Sequence, residues 1–119
     1  MAAVEATGRL LAALGHEMHV VHPEALDEPE VGQHFSTMYA THIAHLLETL
    51  SLFAGRPLGR GDVDPLNWSL AELGSACSAT RYLATVDWIH GYTRRLASWW
   101  ESGFDLLLTP TVPEPPPLL

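Results

Sequence analysis

Three histidines fall along one predicted helix, His42 and His45 three residues apart and His34 eight residues before them, with Glu48 one further turn on. Imidazoles and a carboxylate in that pattern are the raw material of a metal site. No cysteine or second carboxylate completes the set at close spacing, so these residues read as half-buried polar groups, and no metal or other cofactor is expected. Hydroxyl nucleophiles fare no better. Ser69, Ser75 and Ser78 lack flanking glycine pairs, and no Gly-x-Ser-x-Gly elbow occurs in the chain. All three sit where helix caps are needed. Cys77, the single cysteine, lies in Leu73-Gly74-Ser75-Ala76-Cys77-Ser78-Ala79 without a neighbouring His or Asp, and reads as a small buried thiol in a reducing compartment. The six basic residues, Arg9, Arg56, Arg60, Arg81, Arg94 and Arg95, are all arginine. The chain therefore has no lysine, and arginine cannot cycle a proton near neutral pH because its pKa lies above about 12.

The same composition limits the partners. A formal charge of -8 with dispersed arginines gives no basic stripe for phosphates, which argues against nucleic acid. No apolar run approaches the ~18 residues that span a bilayer, and no leader is evident, so a cytoplasmic protein without membrane contact is expected. With 47% apolar and 17% charged residues the chain should fold, as one unit over 1–119 with a Pro-rich end at 110–119.

The elements that would position any site follow from periodicity. Val4, Leu11 and Leu14 mark a first helix that stops at Gly15. Met18 and Val20 then alternate with His19 and Val21 in a short strand. A loop from His22 to Glu30 leads, through Pro29 and Glu30, into a helix of about 23 residues (~34 Å) carrying Phe35, Met38, His42, Leu46, Leu50 and Phe53 and ending at Gly55. Asp64-Pro65 opens a shorter helix, where Ser69 with Glu72 suggests a capping box and Gly74 a stop. A second long helix runs from about Ser78 to Ser102, with Tyr82, Val86, Ile89, Thr93, Leu96 and Trp100 on one face. Phe104 to Thr109 is the kind of apolar run found in a strand buried on both faces. The aromatics Trp68, Trp88, Trp99, Trp100, Tyr39, Tyr82 and Tyr92 could line an apolar pocket, although core or interface packing is their commoner use, and none is named as a substrate-binding residue.

These pieces carry a family resemblance. Phe104-Asp105-Leu106-Leu107-Leu108-Thr109-Pro110-Thr111-Val112-Pro113 resembles the late strand and Pro-rich exit of amidase-signature enzymes. Gly55-Arg56, Asp64-Pro65, Trp68, Ser78-Ala79 and Tyr82-Leu83 are similar to that family's stretch between two long helices, and Leu14-Gly15-His16-Glu17-Met18 to its helix-to-strand step. The resemblance implies an α/β fold, here a mostly helical C-terminal fragment whose two short strands belong to a central mixed sheet. It begins one strand too late and ends as the chain leaves that sheet. It also implies hydrolysis of carboxamide C–N bonds, in linear or cyclic amides, through a Ser-Ser-Lys triad. The lysine and the Gly- and Ser-rich nucleophile segment have no counterpart here, so no catalytic residue is carried over. Activity would need a complementing N-terminal amidase polypeptide, with a small-molecule amide bound only in the complete enzyme. The alternative from the residues alone is an independent, non-catalytic helical interaction module.

Overall fold

The computed structural model describes residues 2–112 and Glu114. Four α-helices carry the fold: α1 Ala2–Ala13, α2 Val31–Ala54, α3 Pro65–Ser75 and α4 Ala79–Glu101, with a 3-10 turn at Glu24–Asp27. Tertiary contacts gather the chain into two compact units, one of residues 24–96 and one of residues 1–23 with 97–119.

Helix ends follow local chemistry closely. α1 closes with His16 N–H donating to the Leu11 carbonyl (3.1 Å) and Gly15 N–H to that of Ala12 (3.0 Å), the paired bonds of a Schellman motif, with Gly15 at φ 95°. Gly55 (φ 65°) and Gly103 (φ 109°) end α2 and α4 in the same left-handed way, as side chains rarely can. Asp64 caps α3 by accepting from Leu66 N–H (2.9 Å) with Pro65 at the first helical position, and Ser78 Oγ accepts from Arg81 N–H (3.1 Å) at the start of α4. Ser69 and Glu72 do not form a capping box. Ser69 Oγ donates to the Pro65 carbonyl (3.0 Å), while Glu72 accepts from the Trp68 indole N–H.

Residues 24–96 are organised by the crossing of α2 and α3. Ala40, Ala44 and Ala71 are buried there together with Gly74. Gly74 is the last residue but one of α3. A Cβ at that position would stand 2.0 Å from the Ala40 carbonyl oxygen, so the two backbones touch and only hydrogen fits between them. α3 does end within a residue of Gly74, but the glycine serves the crossing rather than a left-handed turn. α4 buries a face centred on Thr85, which is 2% exposed, with Trp88, Ile89, Tyr92 and Leu96 half-buried along it. That face shares Val86, Ile89 and Leu96 with the expected stripe, whose other members Tyr82, Thr93 and Trp100 are exposed.

The α/β expectation is overturned: among the described residues the fold is wholly helical, with no strand or sheet. Residues 16–23 and 104–110 lie outside any helix but form no backbone ladder. The physical reason is that a strand is defined by its neighbour. Alternation and apolarity make a segment fit to pair, but its amides and carbonyls become a sheet only against a second ladder. Within residues 1–23 and 97–119 these two segments meet through side chains instead. The His19 and Phe104 rings lie edge to face at 5.9 Å, and Phe104 stacks on Trp99 at 4.2 Å. Met18 folds back beside Gly8 of α1.

Candidate functional site

Residues 24–96 present two arrangements with chemical content. The first is a cleft of ≈ 380 Å³ beside the α2–α3 crossing. α2 contributes Ala44, Leu47, Glu48 and Ser51, the following loop Leu58, and α3 Trp68, Ala71, Glu72 and Ser75. Its floor is apolar because the two helices meet there through alanines. Its hydrogen-bond donors are mostly occupied. Trp68 Nε1 donates to Glu72 Oε1 (2.8 Å), fixing the indole, and Ser51 Oγ donates to the Leu47 carbonyl (2.8 Å) while accepting from Leu58 N–H (3.0 Å). Glu48 lines the cleft from an exposed position on α2.

The loop that supplies Leu58 is held by an ion pair. Arg56 donates through Nη1 (3.0 Å) and Nη2 (2.7 Å) to the two oxygens of Asp62, and Gly59 N–H adds a third bond to Asp62 (2.7 Å). The Arg56 guanidinium, followed by that backbone amide, holds the Asp62 carboxyl well below the usual carboxylate range, and Asp62 in turn raises the Arg56 pKa.

The second arrangement ties the start of α2 to α4. His34 stacks on Trp88 at 4.3 Å, Trp88 on Tyr92 at 5.3 Å, and the Arg95 guanidinium lies 5.7 Å from the Trp88 ring centre. Arg95 also grips Glu28 through two bonds of 2.6 and 2.5 Å, which lowers the Glu28 pKa and raises that of Arg95. Thr85 Oγ1 lies 3.3 Å from His34 Nδ1 and gives this nearly buried hydroxyl a partner. The stack has the build of a structural clamp: planar groups layered face to face, with a cation held over one of them.

The sequence candidates are dispersed by this geometry. His34 belongs to the clamp, whereas His42 and His45 are exposed farther along α2, and among the described residues no three metal-ligating side chains gather. Ser69, Ser75 and Ser78 lie in or beside the ends of α3 and α4, Ser69 and Ser78 bonded as helix hydroxyls. Cys77 is half-buried rather than buried, with Sγ 3.6 Å from the Ser78 carbonyl oxygen. Of the aromatics, Trp68 lines the cleft, Trp88 and Tyr92 form the clamp, and Tyr39 stacks on Phe35 at an exposed position. Periodicity alone did not reveal the α2–α3 cleft. The signal available for it was the small-residue spacing of Ala40, Ala44, Ala71 and Gly74, since small side chains at helical intervals allow backbones to approach.

No family model matches the chain. Individual proteins do, and the class they point to is that of larger hydrolases, to one segment of which the chain is similar. The particular relatives are two proteins described as 6-aminohexanoate-cyclic-dimer hydrolase, from Paenarthrobacter ureafaciens (34% identical over 111 residues) and from Pseudomonas sp. strain NK87 (33% over 111 residues). Each match covers 93% of this chain but only 22% of the relative. The solved structure of a 6-aminohexanoate cyclic dimer hydrolase, and its complex with substrate, superpose with a TM-score of 0.82 at 32% identity over 87% of this chain and 22% of theirs. The chain thus spans about a fifth of the length of the proteins it matches. Among the described residues no helix is long and apolar enough to cross a membrane.

Proposed function

We propose that the chain is the C-terminal segment of an amidase-signature hydrolase that cleaves carboxamide C–N bonds, and that it holds none of the side chains that perform the cleavage. The observation that carries this reading is the match itself: 34% identity along 93% of the chain, against only 22% of the relative. The chemistry supports it. A serine activated through a bridging hydroxyl needs a base that can release and recover its proton, and a chain with six arginines and no lysine offers no such base of the kind the family uses. Apart from the half-buried Ser51 its described serines are exposed, and Ser51, Ser69 and Ser78 are already hydrogen-bonded within a helix or at a helix start.

In this reading a small-molecule amide is bound and hydrolysed only when a complementing amidase polypeptide supplies the lysine and both serines, within the cytoplasm. Because the relatives are named for a cyclic dimer, the assay pairs a simple anilide with a cyclic amide. The purified chain should release no product above the buffer rate from either. Turnover abolished by a serine-directed inhibitor would sink the claim.

A self-sufficient helical interaction module is the second reading, favoured by the close α2–α3 crossing. It requires a cooperative melt with little binding of a hydrophobic dye. Leu106 is 83% exposed and Val20 105%, and a segment made to pack in a larger protein should bind the dye strongly.

A further inference from the structure

We infer that the cleft between α2 and α3 binds a primary alkylammonium ion, an aliphatic chain ending in a cationic amine. Three features of the lining point to that chemistry and stand apart from the amide-hydrolysing role proposed above. The floor, made of Ala44, Leu47, Leu58 and Ala71, is apolar and matches a hydrocarbon stem. The lining carries two carboxylates, Glu48 and Glu72, one from each helix, and none of the chain's arginines. The nearest ion pair in sequence, Arg56 with Asp62, is closed on itself, so it leaves the charge of the lining uncompensated.

The donor count sharpens the selection. The Trp68 indole N–H is occupied by Glu72 and the Ser51 hydroxyl by the Leu47 carbonyl, which leaves Ser75 as the remaining side-chain donor of the lining. A carboxylate or phosphate would find almost nothing to bind and would face two like charges. An ammonium group brings three donors to a lining rich in acceptors. The indole, held in place by its bond to Glu72, adds an aromatic surface that attracts cations. A neutral alcohol shares the stem but satisfies neither the charge nor the donor demand.

The test uses the whole chain with n-butylammonium chloride as the probe, followed through the Trp68 indole N–H resonance at low salt. Butylammonium should displace that resonance saturably and bind at least about tenfold more tightly than n-butanol, while sodium butyrate leaves it in place. Glu48→Gln should weaken butylammonium about two- to fivefold, the range for one exposed charge pair, whereas Glu101→Gln, outside the cleft, should leave the affinity unchanged. A readout that needs no variant is salt: at about 1 M, where screening acts over about 3 Å, the butylammonium affinity should fall several-fold. Butanol binding as tightly as butylammonium overturns the inference. So does an affinity indifferent to Glu48→Gln, or a shift that grows linearly with every additive.

Discussion

Replacing Gly74 with alanine should unfold residues 24–96 more readily, and the sign of that effect is the sharpest test of how α2 and α3 meet. On an isolated helix the change would help, since alanine is favoured over glycine by about 1 kcal/mol in helix interiors. Here the new Cβ would stand 2.0 Å from the Ala40 carbonyl oxygen, 2.4 Å from the carbon of that carbonyl and 2.8 Å from the Thr41 Cα. All three are backbone atoms of α2, so no rotamer change relieves the overlap, and the helices must move apart by more than an ångström. Overpacking costs typically about 1–3 kcal/mol, and a clash with rigid backbone belongs at the upper end. Against the propensity gain the net loss is about 2 kcal/mol, or a fall in Tm of roughly 8 °C or more for a unit of this size. Gly32→Ala is the matched control. It lies on α2 with nothing within 4 Å of its Cβ position, and should raise stability by about 0.5 kcal/mol. Both variants would be followed by circular dichroism during thermal and urea unfolding. A Gly74→Ala chain that melts at or above the parent refutes the close-crossing argument.

Thr85→Val keeps the shape of a nearly buried side chain but removes its hydroxyl from His34, and should cost about 1 kcal/mol in urea unfolding. Trp88→Ala dismantles the layered contacts of His34, Tyr92 and Arg95 together and should cost about 2 kcal/mol, read from the same curves. The Asp62 carboxyl should titrate well below the ordinary value of about 3.9, and Arg56→Ala should raise it toward that range while the Gly59 amide still holds it down, both measured by carboxyl-carbon NMR. Because the folded-state pKa is the depressed one, the loop's ion pair stabilises fully above the ordinary carboxylate range. That contribution is lost as pH falls below about 4 and toward the folded pKa, so protection of the Gly59 amide should fade on acidification rather than in base.

Helices and their ends were the most legible part of the sequence, because caps and left-handed glycines act within a turn of where they stand. Gly15, Gly55, Asp64-Pro65 and Ser78 all act where local chemistry places them. Gly74 stands one residue before the end of α3, yet the close approach to α2 that requires a glycine there is not a local signal. A glycine inside a helix and one just past its end look alike until the neighbouring helix is known. The expected strands at Met18–Val21 and Phe104–Thr109 expose a deeper limit, since their side-chain pattern is a property of the segment while a ladder is a property of a pair. Likewise, no spacing along α4 announced that Thr85, rather than Tyr82 or Trp100, would be covered, because the choice of face was made by His34, 51 residues away. The family resemblance was legible because it rests on short strings of residue types in a fixed order along the chain. The cleft between α2 and α3 was not, because it is assembled from residues 44 to 75 by a crossing.

That crossing has a consequence for the entropy of folding. Its buried residues, Ala40, Ala44, Ala71 and Gly74, have no rotamers to lose, so burying them carries almost no side-chain ordering penalty. The connection from Gly55 to Asp64 is short, so loop closure adds little more. The Trp88 clamp, by contrast, must order His34, Tyr92, Arg95 and Glu28 at once across a longer stretch of chain. The α2–α3 pair is therefore the less costly of the two to order, a helical corner beside which the aromatic half of residues 24–96 is the more expensive to assemble.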